Sequence, residues 1–199
     1  MKKSAESSAP IHPLLAERWS PRSFDKSAEI SDIDLTAILE AGRWAPSSNN
    51  LQPWRFIVAK RGDAHFETMS KHLSGFNAMW APTASAYILV GAITANEDGS
   101  ARPLAFYDAG LAGAFMTVEA NHRGIAVHQV AGFDRDAVGA EFDLPAHFSQ
   151  IAILVLGTQA PADHLQDATL LEREKSPRVR LPLTELIISG IPALNRSYT

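Results

Sequence analysis

The chain has 199 residues, 46% hydrophobic and 20% charged, enough for one globular domain with a sizeable core. Its net charge of -4 gives no general attraction to nucleic acid or to an acidic membrane. It has no cysteine, which excludes disulfides, thiolate nucleophiles, iron–sulfur clusters and Cys-type zinc sites.

Residues 1–10 read as a flexible polar arm ahead of a single domain over 11–199. Ile11, Leu14, Leu15 and Trp19 follow at helical spacing. The next helix carries clear start signals: Ser31 can cap it, Asp34 stands three residues on, and Ile30 can staple against Leu35. Leu35, Ile38 and Leu39 form its apolar side, and Pro46 prevents its continuation.

Strands are expected at Trp54–Ala59 and Ala84–Ala92, with a helix over about 63–73 between them. Pro103 suits the first position of a long helix running to about His122, with Gly124 placed to end it. In that helix Ala105, Ala109 and Gly113 make a stripe of small residues, while Leu104, Leu111, Phe115 and Val118 make a bulkier face. Two apolar faces fit a core plus a subunit interface, or a helix central to a monomer. A strand at Ala126–Val130, a helix at Arg135–Phe142 and a strand at Gln150–Gly157 follow. The tail from Pro177 holds three prolines and a strand-like Leu186-Ile187-Ile188, and must lie on something else. No apolar stretch has the length to cross a bilayer or to act as a signal peptide, so a cytoplasmic location is expected. The pattern is that of an α+β domain.

Three polar clusters could carry chemistry. Arg18-Trp19-Ser20-Pro21-Arg22 could clasp a phosphate through charge-assisted bonds, or could simply decorate a helix end. Pro46-Ser47-Ser48-Asn49-Asn50-Leu51-Gln52 offers uncharged donors and acceptors suited to a heterocycle or a hydroxylated chain, or to a polar connecting loop. In Arg178-Val179-Arg180 alternation would put both arginines on one side of an extended segment, where they could meet the first pair across a dianion. Seven histidines show no close pair at metal-binding spacing, so no metal is expected. There is no Gly-x-Gly-x-x-Gly, P-loop or Gly-x-Ser-x-Gly element.

Arg-x-Ser-x-Arg, then Ala-Pro-Ser-Ser-x-Asn-x-Gln-Pro-Trp, then Val130-Ala131-Gly132-Phe133-Asp134, then Arg-x-Arg-Leu-Pro, in that order, resemble the nitroreductase family. The resemblance implies a three-layer α-β-α sandwich with a mostly antiparallel sheet and a C-terminal tail (about 177–199) reaching the partner subunit. It implies a homodimer that binds FMN at its interface and passes hydride from NAD(P)H to a nitroaromatic, quinone or similar small organic acceptor by a ping-pong mechanism. By the same resemblance Arg18, Trp19, Ser20 and Arg22 contact the cofactor from phosphate to ring, Arg22 lying near N1 and the C2 carbonyl. Arg178 and Arg180 close over the phosphate. Pro46, Ser47, Ser48, Asn50 and Gln52 come from the second subunit, and Asn77 lies at the pyrimidine edge. Val130, Ala131 and Gly132 approach N5 through the backbone, so no side chain is assigned a catalytic role.

The sequence also departs from the pattern. Ala78, Met79 and Trp80 stand where several relatives carry a lysine, and Ala131 stands where an acidic residue is frequent. His128 and Trp80 could line the pocket or pack as core. Other FMN chemistry on this fold (dehydrogenation, dehalogenation or flavin fragmentation) and a non-catalytic flavin-binding role stay open on these residues.

Overall fold

A computed structural model describes residues 3–190. Four strands, β1 (Trp54–Lys60), β2 (Ala86–Ile93), β3 (Ala126–Val130) and β4 (Phe148–Gly157), form one antiparallel sheet in the order β1-β2-β4-β3. β2 lies centrally, and its near-continuous apolar run is buried from Ala86 to Ala92. Strand alternation divides its side chains between two cores. Ala86, Ile88, Val90 and Ala92 face the long helix α5 (Ala105–His122) and α2 (Asp32–Arg43). Tyr87 and Leu89 face the opposite layer, made by α3 (Ala64–Lys71), α4 (Asn77–Trp80), α6 (Arg135–Glu141) and α7 (Ala168–Lys175). The result is the α-β-α sandwich that the resemblance implied.

Local chemistry sets the helix starts. The Ser31 hydroxyl accepts from the Asp34 N–H at 3.0 Å, and Ile30 and Leu35 are both buried beside it. Asp63, Asp134 and Asp167 cap α3, α6 and α7 in the same way. α5 presents Ala105, Ala109, Ala112, Gly113, Met116 and Ala120 to the core. Its other side leaves Leu104, Phe106, Tyr107 and Phe115 exposed, so the two apolar faces differ: one is packed, the other open.

Several boundaries differ from the sequence pattern. The first helix, α1 (Pro13–Glu17), ends before Arg18, whose backbone is extended, so Trp19 lies outside it and is covered by the Lys3 ammonium at 4.4 Å. The long helix begins at Ala105, because Arg102 to Leu104 form a turn ahead of it. β4 starts at Phe148. Leu186-Ile187-Ile188 is no strand: Pro182 initiates a short helix, α8 (Leu183–Leu186), and the chain extends only from Ile187. Helix α7 has no counterpart in the sequence reading. The tail beyond residue 190, and with it part of the segment expected to reach a partner, lies outside the described residues.

Gly91 marks a register shift between β2 and β4, and a Cβ there would sit 2.1 Å from the Phe148 ring. Gly91→Ala should therefore lower stability by about 1–3 kcal/mol through overpacking. Denaturant unfolding at matched m-value checks this; an unchanged midpoint would show that Phe148 can move aside freely.

Candidate functional site

The Arg18–Arg22 segment leaves α1 and runs along β3, an edge strand. His128 on β3 holds it there: its Nδ1–H donates to the Pro21 carbonyl at 2.9 Å. The carbonyl can only accept, which fixes the proton on Nδ1. Behind the histidine lies Trp80, its ring centroid 4.6 Å away, and Phe24 stacks on Trp80 in turn. From the other side Glu174 on α7, fully buried, accepts from the Arg22 N–H at 2.9 Å and the Ser23 N–H at 3.3 Å, with the Arg22 guanidinium 4.0 Å away. A buried carboxylate is tolerable only when so surrounded.

Arg18 bonds the Ser20 hydroxyl at 3.2 Å. Arg178 reaches the same place from the C-terminal segment, donating to the carbonyls of Ala16 and Lys3 at 2.6 and 2.7 Å. Burial, and then the charges of Arg178 and Arg180, push the Arg18 guanidinium below its usual pKa. The two tail arginines do not act alike: Arg178 is half-buried, whereas Arg180 bonds only the neighbouring Val179 carbonyl and stays exposed. Among the described residues none of Arg18, Arg178 and Arg180 forms an ion pair. Three guanidinium groups thus converge with no paired carboxylate among the described residues, a charge arrangement suited to a polyanion.

Further along the same edge of the sheet, Asn77 at the start of α4 meets the Val130–Gly132 segment. Its Nδ2 donates to the Gly132 carbonyl at 3.2 Å, and the Ser74 N–H donates to the same oxygen at 3.0 Å. A Cβ at Gly132 would come within 2.8 Å of the Asn77 amide, so a side chain there would push that amide aside. The N–H groups of Ala131 and Gly132 donate to no other described residue.

The Pro46–Gln52 loop stands apart. It precedes β1, the opposite edge of the sheet, separated from β3 by two strands. At the usual spacing between strands the two edges are roughly 14 Å apart. Asn49, Asn50 and Gln52 all have positive φ, a conformation that costs asparagine little but is uncommon in so short a stretch. The Ser47 hydroxyl accepts from the Gln52 N–H, and the Asp108 carboxylate, buried on α5, accepts from the Ser48 N–H at 3.2 Å. The polar edge of this loop is thus shaped in advance yet faces away from its own arginine cluster.

The structure therefore brings together Arg18, Trp19, Ser20, Arg22, Arg178 and Arg180, and places Asn77 against Val130–Gly132, but leaves Pro46, Ser47, Ser48, Asn50 and Gln52 elsewhere in the same chain. Sequence reasoning missed Glu174 and Asp108. For Asp108 a signal existed, a lone carboxylate on the small-residue face of an apolar helix; Glu174 looks like any charge in a mixed run. Among the described residues no helix is long and apolar enough to cross a membrane, and no cluster of His, Asp and Glu has the makings of a metal site.

Comparison with known proteins bears on the fold and the family. Residues 15–82 match the model of the nitroreductase family. A solved structure described as an oxidoreductase containing FMN superposes with a TM-score of 0.87 at 31% identity, covering 94% of each chain. An uncharacterized 15.4 kDa protein of Mycolicibacterium smegmatis is 37% identical over 147 residues, 68% of this chain and 95% of that one. An oxygen-insensitive NADPH nitroreductase of Helicobacter pylori is 37% identical over 84 residues, 42% of this chain and 39% of that one. The chain belongs to the nitroreductase family.

Burial, opposed by the bond to Pro21 and reinforced by the charges of Arg22 and Arg18, pushes the His128 pKa down to about 4. The unfolded chain binds this proton more readily than the folded one, so His128 costs stability as pH falls from about 6.5 towards 4, by up to about 3 kcal/mol. His128→Asn retains a donor near Nδ1 and cannot titrate. Its melting temperature should fall less than that of the parent over that window, and parallel pH profiles would refute the assignment.

Proposed function

We propose that the chain is an FMN-dependent oxidoreductase, active as a homodimer in the cytoplasm, that takes hydride from NAD(P)H and delivers it to an electron-poor acceptor such as a nitroaromatic or a quinone. The observation that carries this reading is the trio Arg18, Arg178 and Arg180, which meets no carboxylate among the described residues. A ribityl phosphate has the charge and oxygen geometry that such a socket needs. The solved relative that superposes over 94% of each chain is described as containing FMN.

The remaining residues fit the rest of that cofactor. Ser20 and Trp19 lie between the phosphate end and Arg22, whose fixed positive charge would favour electron density building up at the pyrimidine side of the ring. Asn77 offers an amide to the same edge. The N–H groups at Ala131 and Gly132, which meet no acceptor among the described residues, would donate to the ring nitrogen that exchanges hydride, with no side chain needed as acid or base. Once bound, FMN supplies the two-electron chemistry. The loop of Pro46, Ser47, Ser48, Asn50 and Gln52 would complete the site of a second subunit, since it stands at the far edge of its own sheet. The open apolar side of α5, with Tyr107 and Phe115 exposed, offers the surface for that pairing.

Arg178→Ala combined with Arg180→Ala removes two charge-assisted partners, each worth about 1.5–3 kcal/mol. The purified double variant should lose FMN, read from its visible absorbance, and bind added FMN more weakly by at least about a hundredfold. Stoichiometric flavin in that variant would remove the phosphate socket from the argument. Because donor and acceptor would use one space in turn, double-reciprocal plots at several acceptor concentrations should run parallel; intersecting lines would require a site for both at once.

A further inference from the structure

Beside the proposed ring site stands a cation paired with no carboxylate among the described residues. Arg173 is exposed on α7, and although Glu172 and Glu174 flank it in sequence, it joins no ion pair or hydrogen bond with a described residue. What it touches is an aromatic face: its guanidinium carbon lies 4.8 Å from the centre of the Phe76 ring. Phe76 is itself 39% exposed and Met79 56%, an apolar surface open at the start and middle of α4. Phe76 directly precedes Asn77, whose amide reaches the Gly132 carbonyl. Arg173 also lies close enough to Arg22 for its charge to help push the Arg22 guanidinium down in pKa, after burial and against the pull of Glu174.

A guanidinium held by a ring keeps its in-plane N–H donors free, whereas one held by a carboxylate has spent them. An unspent fork of donors, an exposed ring and an exposed thioether adjoin the backbone segment assigned to hydride exchange.

We infer that Arg173 selects acceptors that carry a carboxylate or comparable anionic group on an aromatic or quinoid ring, the ring resting against Phe76 and Met79 and the anion meeting the Arg173 guanidinium. This rests on the FMN reading above and adds a substrate class to it. The same charge could instead serve a phosphate of the nicotinamide donor, so the two half-reactions are measured separately.

The test uses the flavin-loaded protein with 4-nitrobenzoate and its neutral analogue 4-nitrobenzamide. The ratio of their kcat/KM values should favour the carboxylate in the parent, fall about tenfold in Arg173→Gln, the loss expected for one charge-assisted bond, and recover in part in Arg173→Lys. Added salt should lower the parent's ratio more than the variant's. A ratio unaltered by Arg173→Gln overturns the inference while leaving the FMN reading intact. So does a loss confined to the reductive half-reaction with NADPH and absent with NADH, followed by stopped flow, which would give the charge to the donor's phosphate. A parent protein that takes up no FMN fails earlier, at the cofactor reading, and the acceptor assignment falls with it.

Discussion

The Glu174 carboxylate is buried between the N-terminal and C-terminal parts of the chain, and much of the candidate site hangs from it. It accepts the backbone N–H groups of Arg22 and Ser23 and faces the Arg22 guanidinium, while its own main-chain carbonyl receives the Lys3 ammonium. Removing one partner of a buried charge typically costs about 3–5 kcal/mol, because the other is left without solvent or counterion. This one group therefore fixes where α7 sits relative to the arginine segment. Arg18, Ser20 and Arg22 are carried by a stretch that has no regular secondary structure to hold it. His128 supplies the second support from the sheet side, and together the two leave the segment little freedom.

The division of the polar residues between two edges of the sheet follows from strand order. β1 and β3 are the outermost strands, so whatever precedes β1 and whatever adjoins β3 cannot meet within one chain. In the homodimer proposed above, a second copy would bridge that separation. The loop before β1 is already held by Ser47 and Asp108 in the conformation it displays. Its exposed polar groups then make sense as a contribution offered outward.

Much of this was legible in the sequence because the signals were local. Ser31, Asp34, Ile30 and Leu35 specify the start of α2 among themselves, and β2 announces its central place by carrying apolar residues on both faces. The polar clusters were legible for the same reason, being short and ordered along the chain. What escaped was set by tertiary contact. Nothing in the run Leu171-Glu172-Arg173-Glu174-Lys175 distinguishes the glutamate that is buried from the one that is not, since burial depends on Arg22 and Ser23, some 150 residues away. The end of α1 was misplaced because Trp19 keeps helical spacing while Arg18 adopts an extended backbone. The strand-like Leu186–Ile188 triplet has the composition of a strand but no neighbouring strand to pair with, and Pro182 starts a helical turn just before it.

The bonds joining Lys3 to Glu174 and Ser176, and Arg178 to Lys3 and Ala16, close over more than 160 residues of chain. Closing so wide a loop costs more entropy than the helical connection that joins β1 to β2, and brings no reward until both ends are in place. The helices in between can form from neighbouring residues, but the arginine socket cannot. During synthesis it must wait until residue 180 has cleared the ribosome, so it is among the last parts of the molecule to take shape. Tight anion binding at that socket would then report more than a folded core: it would mark a chain whose two distant segments have found each other.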